Sequence, residues 1–241
     1  MNLREKYGEW GIILGATEGV GKAFAEKIAS EGMSVVLVGR REEMLQELGK
    51  NISETYGVDH MVIRADFAQS DCTDKIFEAT KDLDMGFMSY VACFHTFGKL
   101  QDTPWEKHEQ MINVNVMTFL KCFYHYMGIF AKQDRGAVIN VSSLTAISSS
   151  PYNAQYGAGK SYIKKLTEAV AAECESTNVD VEVITLGTTI TPSLLSNLPG
   201  GPAGEAVMKA AMTPEACVEE AFDNLGKSLS VIAGDHNKAN V

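Results

Sequence analysis

Tyr156 and Lys160 stand four residues apart, a spacing that places both side chains on one face of a helix, one turn from each other. A phenol has a pKa of about 10, so it carries protons poorly at neutral pH unless a positive charge stabilises the phenolate. The ammonium of Lys160 would supply that charge, and the pair predicts acid-base chemistry at a substrate hydroxyl or carbonyl. Chance is the alternative in a chain with 8 tyrosines and 21 lysines and arginines, although only Tyr156 has a lysine or arginine at i+4.

Two other polar side chains have positions from which they could act on the same substrate. Ser143 follows the apolar run 137–141, and open α/β sheets bind ligands beyond the carboxyl ends of their strands. Its hydroxyl could therefore hydrogen-bond a substrate oxygen. Asn115 falls inside a predicted helix, where asparagine is a mediocre helix former. It indicates either a functional polar group or a bend that binds water.

A glycine-rich turn follows the first apolar run and precedes a helical pattern. Its glycines have the spacing GxxxGxG, which lets backbone N–H groups and a helix N-terminus approach a pyrophosphate. The alternative is a turn that needs glycine only for positive φ, but the strand before it and the helix after it favour a dinucleotide site. The candidate cofactor contacts in this turn are Gly15, Thr17, Glu18, Gly19, Val20 and Gly21.

The end of the second predicted strand indicates which dinucleotide binds. An acidic residue there would bind the ribose 2′-hydroxyl, whereas arginine pairs with a 2′-phosphate. The chain has Gly39, Arg40 and Arg41 at this point, so the sequence favours NADP(H) over NAD(H). Glu42 and Glu43 argue the other way, but acids in the first turn of a helix are expected from the helix dipole alone. The alternative for the two arginines is a solvated pair.

The candidate catalytic and cofactor-binding residues need a scaffold that positions them. The sequence predicts one in which strands and helices alternate. Short apolar runs alternate with stretches of helical period, which is the pattern of βαβ units. We expect a Rossmann-type doubly wound α/β fold, with a parallel sheet of about seven strands between helices, in a single domain over residues 1–241. The predicted strands cover residues 10–14, 34–38, 61–65, 86–93, 137–141, 181–185 and 230–233.

The segment at about residues 190–213 breaks this alternation. It contains three prolines and three glycines, so we expect a mobile insertion that covers the substrate. Its apolar side chains, among them Leu194 and Met208, either pack in the ordinary way or form a lid over a lipid-like substrate.

Composition excludes several classes of protein. The net charge of −10 disfavours binding to nucleic acid or to an anionic membrane surface. Five cysteines without a close CxxC pair argue against disulfides and structural zinc, and they are expected to be buried thiols in a reducing compartment. We predict no metal site. No run approaches the roughly 18 apolar residues of a membrane span, and we expect a cytoplasmic protein.

Taken in order along the chain, these motifs resemble the short-chain dehydrogenase/reductase family. The resemblance implies a catalytic tetrad of Asn115, Ser143, Tyr156 and Lys160, with NADP(H) as cofactor and a homo-oligomer, either a dimer or a tetramer. It implies further cofactor contacts at Asp66, Phe67, Ala92, Thr188, Thr189 and Thr191, with Tyr156 and Lys160 also touching the cofactor. It implies substrate contacts at Ser143, Thr145, Tyr156 and Ser193. The chain departs from the family at residues 92–95, where Ala-Cys-Phe-His replaces Asn-Asn-Ala-Gly, and at Leu186, which replaces proline.

Segments 87–93, 148–151 and 184–189 are similar to those of a bacterial hydroxysteroid dehydrogenase branch of the family, which implies a bile acid substrate. Two enzyme alternatives stay open, a 3-oxoacyl thioester reductase and a hydroxysteroid dehydrogenase of another regiospecificity. A third alternative is a catalytically idle NADP-binding regulator, which would be expected to have lost the tyrosine or the lysine.

Overall fold

A seven-stranded sheet, parallel throughout, forms the centre of the molecule in the computed structural model, which describes residues 2–239 and residue 241. The strand order is β3-β2-β1-β4-β5-β6-β7. The strands are β1 (Trp10–Leu14), β2 (Ser34–Gly39), β3 (His60–Arg64), β4 (Met85–Tyr90), β5 (Gly136–Ser143), β6 (Val179–Leu186) and β7 (Ser230–Ile232). This confirms the predicted doubly wound Rossmann-type sheet.

Helices cover both faces of the sheet, and most of them connect one strand to the next. They are α1 (Leu3–Tyr7), α2 (Gly19–Ser30), α3 (Glu42–Tyr56), α4 (Cys72–Thr80), α5 (Trp105–Ile112), α6 (Phe119–Gln133), α7 (Ala154–Glu173), α8 (Pro192–Ser196), α9 (Gly201–Ala210), α10 (Pro214–Asn224) and α11 (Asp235–Lys238). Within the described ranges, none of these helices has the length and apolar character to cross a membrane.

The core lies in two layers because side chains alternate between the two faces of each strand. Ile13 of β1 points into the layer that contains Phe24 of α2, while Ile12 points into the layer that contains Ile163 of α7. Every residue of β2 and β4 is buried. Continuous apolar runs are typical of parallel strands covered on both faces, which is why the sequence revealed the central strands so clearly.

The predicted strand over residues 86–93 ends early, at Tyr90. The amides of Val91 and Ala92 both donate to the carbonyl oxygen of Leu14, at 2.9 and 2.8 Å, so the regular ladder stops there. The chain beyond turns away from the sheet and is free to form the wall of a site.

A π-helical segment, Asn113–Thr118, interrupts the helix predicted around Asn115 and joins α5 to α6. Such segments widen the helix, disturb its hydrogen-bond ladder and occur often at functional sites. Here the hydroxyl of Tyr90 donates to the carbonyl oxygen of Val114 at 2.6 Å.

The expected loop at residues 190–213 contains two helices instead. Pro192 and Pro202 occupy the first turns of α8 and α9, where proline is favoured because its missing N–H has no helical partner anyway. Backbone bonds of Met212 to Thr188 and Ile190 close the base of the insertion. Proline therefore begins helices here, and the mobility of the insertion stays a prediction.

Candidate active site

A cavity of about 450 Å³ opens at the carboxyl ends of β1, β2, β4, β5 and β6. The strand order reverses between β1 and β4, the point at which doubly wound sheets bind ligands. The cavity brings together Gly15 after β1, Arg40 after β2, Ser143 at the end of β5 and Tyr156 from α7. Gly15 and Tyr156, which are 141 positions apart in the sequence, thus meet in one cleft.

Tyr156, Ser143 and Lys160 converge on one side of this cavity. The side chains of Tyr156 and Ser143 are hydrogen-bonded to each other. The ammonium nitrogen of Lys160 lies 5.8 Å from the centre of the Tyr156 ring, and Lys160 is only 2% exposed. Lys160 also donates to the carbonyl oxygen of Val141 at 2.9 Å. The arrangement can hold a substrate oxygen between a hydroxyl and a phenol beside a fixed positive charge.

Burial dominates the electrostatics of this group. Desolvation raises the pKa of Tyr156, the nearby Cys93 raises it further, and only the hydrogen bond with Ser143 acts to lower it. Burial likewise lowers the pKa of Lys160, while Cys93 acts against that shift. A lower pKa for Tyr156, which is expected from the combined charges of Lys160 and an oxidised nicotinamide, stays a prediction for the complex with that dinucleotide.

Asn115 lies in the π-helical segment and is buried next to the cavity wall rather than in it. Its side-chain oxygen accepts from the amide of Phe94 at 2.9 Å, and its side-chain nitrogen donates to the carbonyl of Phe94 at 2.7 Å. The Cβ of Asn115 would stand 3.2 Å from a Cβ added at Gly159 of α7, a tight contact that glycine avoids. Asn115 therefore fixes the segment after β4 against α7.

The glycine turn has the shape that a dinucleotide pyrophosphate requires. Gly15 has φ +104°, and a Cβ there would lie 2.6 Å from the amide nitrogen of Ala92. A Cβ at Gly21 would overlap the carbonyl oxygen of Gly15. Helix α2 begins after Glu18 without a side-chain cap, so its first N–H groups are left for an anionic ligand. These residues fit the cofactor that the sequence predicts.

The two arginines after β2 have different surroundings. Arg41 forms an ion pair of 3.0 Å with Glu18, whereas the guanidinium of Arg40 has no ion pair or hydrogen bond within residues 2–239. A Cβ at Gly39 would lie 2.7 Å from the hydroxyl of Thr17, so glycine keeps this corner open. The sequence does not distinguish the two arginines. In the described part of the chain Arg40, unlike Arg41, has no carboxylate partner and can bind an anionic ligand.

The threonines after β6 connect the site to the insertion. Thr191 caps α8 by accepting from the amide of Leu194 at 3.2 Å, and its methyl group faces Gly19. Thr189 reaches the cavity, while the carbonyl of Thr188 bonds Met212 instead. Thr145 lies outside the cavity wall, with its buried hydroxyl oxygen unpaired in the described part of the chain.

Most of the residues predicted from sequence line the cavity. These are Gly15, Thr17, Glu18, Gly19, Val20, Arg40, Arg41, Asp66, Phe67, Ala92, Ser143, Tyr156, Lys160, Thr189, Thr191 and Ser193. The predicted residues that do not line it are Gly21, Asn115, Thr145 and Thr188. Sequence reasoning missed Val91, Cys93, Phe94, His95, Gln110, Val114, Val141, Ser142, Leu186 and Gly187. The departures from the family pattern at residues 92–95 and at Leu186 were the features of the sequence that could have indicated several of these residues.

Cys93 corrects the expectation that all the cysteines are buried. It is exposed, Cys174 is half-buried, and Cys72, Cys122 and Cys217 are buried. Across residues 2–239, no three histidine, cysteine, aspartate or glutamate side chains are grouped so that they could hold a metal ion.

The sequence and the fold identify the class of protein. A model of the short chain dehydrogenase family matches residues 9–198, and the chain belongs to this family of oxidoreductases. A relative from Mediterraneibacter gnavus, a 7β-hydroxysteroid dehydrogenase, is 75% identical over 241 residues, which are 100% of this chain and 92% of that protein.

Two solved structures share the architecture. One, from work on 7β-hydroxysteroid dehydrogenase stereoselectivity, has a TM-score of 0.97 and 75% identity, covering 100% of this chain and 93% of that one. A short-chain dehydrogenase from Sphingobium yanoikuyae in complex with NADPH has a TM-score of 0.85 and 22% identity, over 96% of this chain and 90% of that one. At that identity it shows the common fold alone.

Proposed function

We propose that this protein is an NADP-dependent 7β-hydroxysteroid dehydrogenase, which interconverts the 7β-hydroxyl and 7-oxo groups of bile acids. The observation that carries the chemistry is the convergence of Tyr156, Ser143 and Lys160 on one cavity beside the glycine turn. The identity of 75% to a 7β-hydroxysteroid dehydrogenase over the whole chain supports the substrate class.

The resemblance to the family implies a role for each member of the predicted tetrad. Ser143 holds the substrate oxygen, and Tyr156 takes the proton of the hydroxyl in oxidation or returns it in reduction. Lys160 stabilises the phenolate with its charge and binds the nicotinamide ribose. Hydride transfer at C7 is the chemistry that a dinucleotide held by the glycine turn would supply. Asn115 holds the backbone at Phe94 and positions a water that relays the proton outward.

The preference for NADP(H) rests on the corner after β2. Among the residues that the structure describes, Arg40 has no carboxylate partner, and β2 ends in Gly39 and not in an acidic residue. A 2′-phosphate would supply the anion that this guanidinium lacks. Asp66 and Phe67 line the same end of the cavity and would border the adenine.

The insertion at residues 190–213 would cover the sterol. Ser193 lines the cavity from α8, and the apolar side chains of α8 and α9 could lie against a rigid hydrocarbon skeleton. The orientation of the sterol under this cover would decide which face of C7 meets the hydride. The homo-oligomer stays a prediction, which light scattering on the purified protein would test.

One assay tests the proposal. The absorbance of NADPH is followed with purified protein and, separately, a 7-oxo bile acid, a 3-oxo bile acid and an acetoacetyl thioester. We expect turnover with the 7-oxo compound and a 7β-hydroxyl product. Turnover only with the 3-oxo compound or the thioester would replace the proposed substrate, and tight NADPH binding without any turnover would indicate a regulator.

A further inference from the structure

Cys93 and His95 form a pair of reactive side chains that the proposed mechanism does not use. Both line the cavity that contains Tyr156 and Lys160, and the Cys93 thiol is hydrogen-bonded to the His95 side chain. The centre of the His95 ring lies 5.6 Å from that of Tyr156, with the ring planes tilted by 58°. A nucleophile and a base therefore meet at the centre of the site.

The backbone between the two side chains is fixed. Asn115 makes two hydrogen bonds to the peptide groups of Phe94, one to its N–H and one to its C=O. The ring of Phe94 lies 5.3 Å from the ammonium of Lys107. Because the intervening residue is held at both ends, Cys93 and His95 keep their mutual position without support from a ligand.

The surroundings favour a thiolate. Desolvation by the cavity wall opposes ionisation, but the hydrogen bond with His95 and the charge of Lys160 together lower the pKa of Cys93. The same hydrogen bond raises the pKa of His95 against desolvation. Burial instead raises the pKa of each of the other four cysteines, Cys72, Cys122, Cys174 and Cys217. These four cysteines therefore serve as internal controls for the reactivity of Cys93.

We propose that Cys93 is a modification site for soft electrophiles, with His95 as its base and with bound dinucleotide as its shield. His95 takes the thiol proton, and the thiolate attacks an alkylating carbon or one sulfur of a small disulfide. A carbon–sulfur or sulfur–sulfur bond forms while the leaving group departs with its electron pair. The proton stays on His95, and the electrons balance without a further oxidant.

Limited alkylation of the whole protein by iodoacetamide tests the site, read by intact mass and by mapping of the modified peptide. We expect the first adduct on Cys93, and Cys93→Ser should remove it. Cys174→Ser is the matched control, because Cys174 is the next most exposed cysteine, and it should leave the fast phase unchanged. A first adduct on Cys174, or on any other residue, overturns the proposal.

The role of the base is tested by the rate of labelling. Because the hydrogen bond with His95 helps to lower the pKa of Cys93, His95→Asn should leave a smaller thiolate fraction at pH 7 and slow labelling severalfold. The labelling rate of the wild type should begin to fall at a lower pH than that of the variant. The groups around the thiol are His95 on its own segment, Tyr156 and Lys160 on α7, and Tyr90 on β4. A wild-type rate that falls tenfold per pH unit below pH 8.5, like an ordinary thiol, overturns the proposal even if His95→Asn fails to fold.

The protection of Cys93 by bound dinucleotide rests on the proposed dinucleotide site, and a separate measurement tests it. Saturating NADPH, with binding followed by its fluorescence, should suppress labelling of Cys93. If NADPH binds and Cys93 reacts at the same rate, the shielding is wrong. If NADPH does not bind while Cys93 still reacts first, the proposed cofactor fails and the thiol site stands.

Discussion

Two reciprocal hydrogen bonds join Lys160 to the end of β5. The ammonium of Lys160 donates to the carbonyl oxygen of Val141 at 2.9 Å, and the hydroxyl of Ser142 donates to the carbonyl oxygen of Lys160 at 2.8 Å. These buried bonds hold the part of α7 that carries Tyr156 against the strand that carries Ser143. The distance between the phenol and the hydroxyl is therefore set by the sheet and does not depend on a flexible loop.

Replacement of Tyr156 by phenylalanine tests the proton transfer. The change removes one hydroxyl and keeps the ring against His95 and Lys160. We expect kcat to fall at least 100-fold, within the range that general acid-base groups contribute, while NADPH affinity changes little. Steady-state rates and NADPH titration measure the two effects. Turnover near the wild-type rate would exclude Tyr156 as the proton carrier.

Arg40 and Arg41 should differ in their effect on cofactor choice. Because Glu18 neutralises Arg41, Arg40→Ser should raise KM for NADPH by about 10- to 100-fold, as expected for hydrogen bonds to a charged group, and leave KM for NADH unchanged. Arg41→Ser should have a smaller effect. Glu18→Gln releases Arg41 and should lower KM for NADPH. Equal losses in both arginine variants would contradict this assignment.

Glu182 should make stability depend on pH. It is fully buried in β6 with both carboxylate oxygens unpaired among the described residues, and burial raises its pKa to about 8. The folded state therefore keeps a proton that the unfolded chain releases above about pH 4.5. Stability from this group is complete below pH 4.5 and is lost progressively as the pH rises to about 8, by several kcal/mol.

Urea unfolding of Glu182→Gln and wild type at pH 5, 7 and 8.5 checks this dependence. The variant should be more stable at pH 8.5, and the difference should shrink towards pH 5. Glu47→Gln, on the exposed face of α3, is the matched control and should show no such trend. A difference that is constant with pH would mean that Glu182 does not titrate during unfolding.

The hydroxyl of Tyr90 should support the π-helical segment. Tyr90→Phe leaves the carbonyl of Val114 without its partner in a buried position, which typically costs about 1–3 kcal/mol. We expect that loss in urea unfolding, together with a lower kcat because Asn115 follows Val114. Tyr124→Phe, on the exposed face of α6, should change neither quantity. Unchanged stability in Tyr90→Phe would show that this carbonyl finds another partner.

The sequence predicted the regular elements best where the burial of an element leaves a clear apolar pattern in the chain. Strand β1 has the bounds that its apolar run predicts, residues 10–14, and α3 has the bounds that the spacing of Leu45, Leu48 and Ile52 predicts, residues 42–56. A buried strand leaves a continuous apolar run in the chain, and an amphipathic helix leaves a periodic one. The prolines at 192 and 202 indicated an irregular segment where the structure has helices, because the same residue that breaks a helix interior is favoured at a helix start.

The sequence by itself determined the doubly wound sheet, the glycine turn and the pairing of Tyr156 with Lys160, since each depends on spacing within one element or one turn. Only the tertiary structure decided that Arg41 pairs with Glu18, that Asn115 fixes Phe94, and that Cys93 and His95 face Tyr156. These contacts join residues from different elements, and local periodicity carries no information about which side chains meet across a cavity.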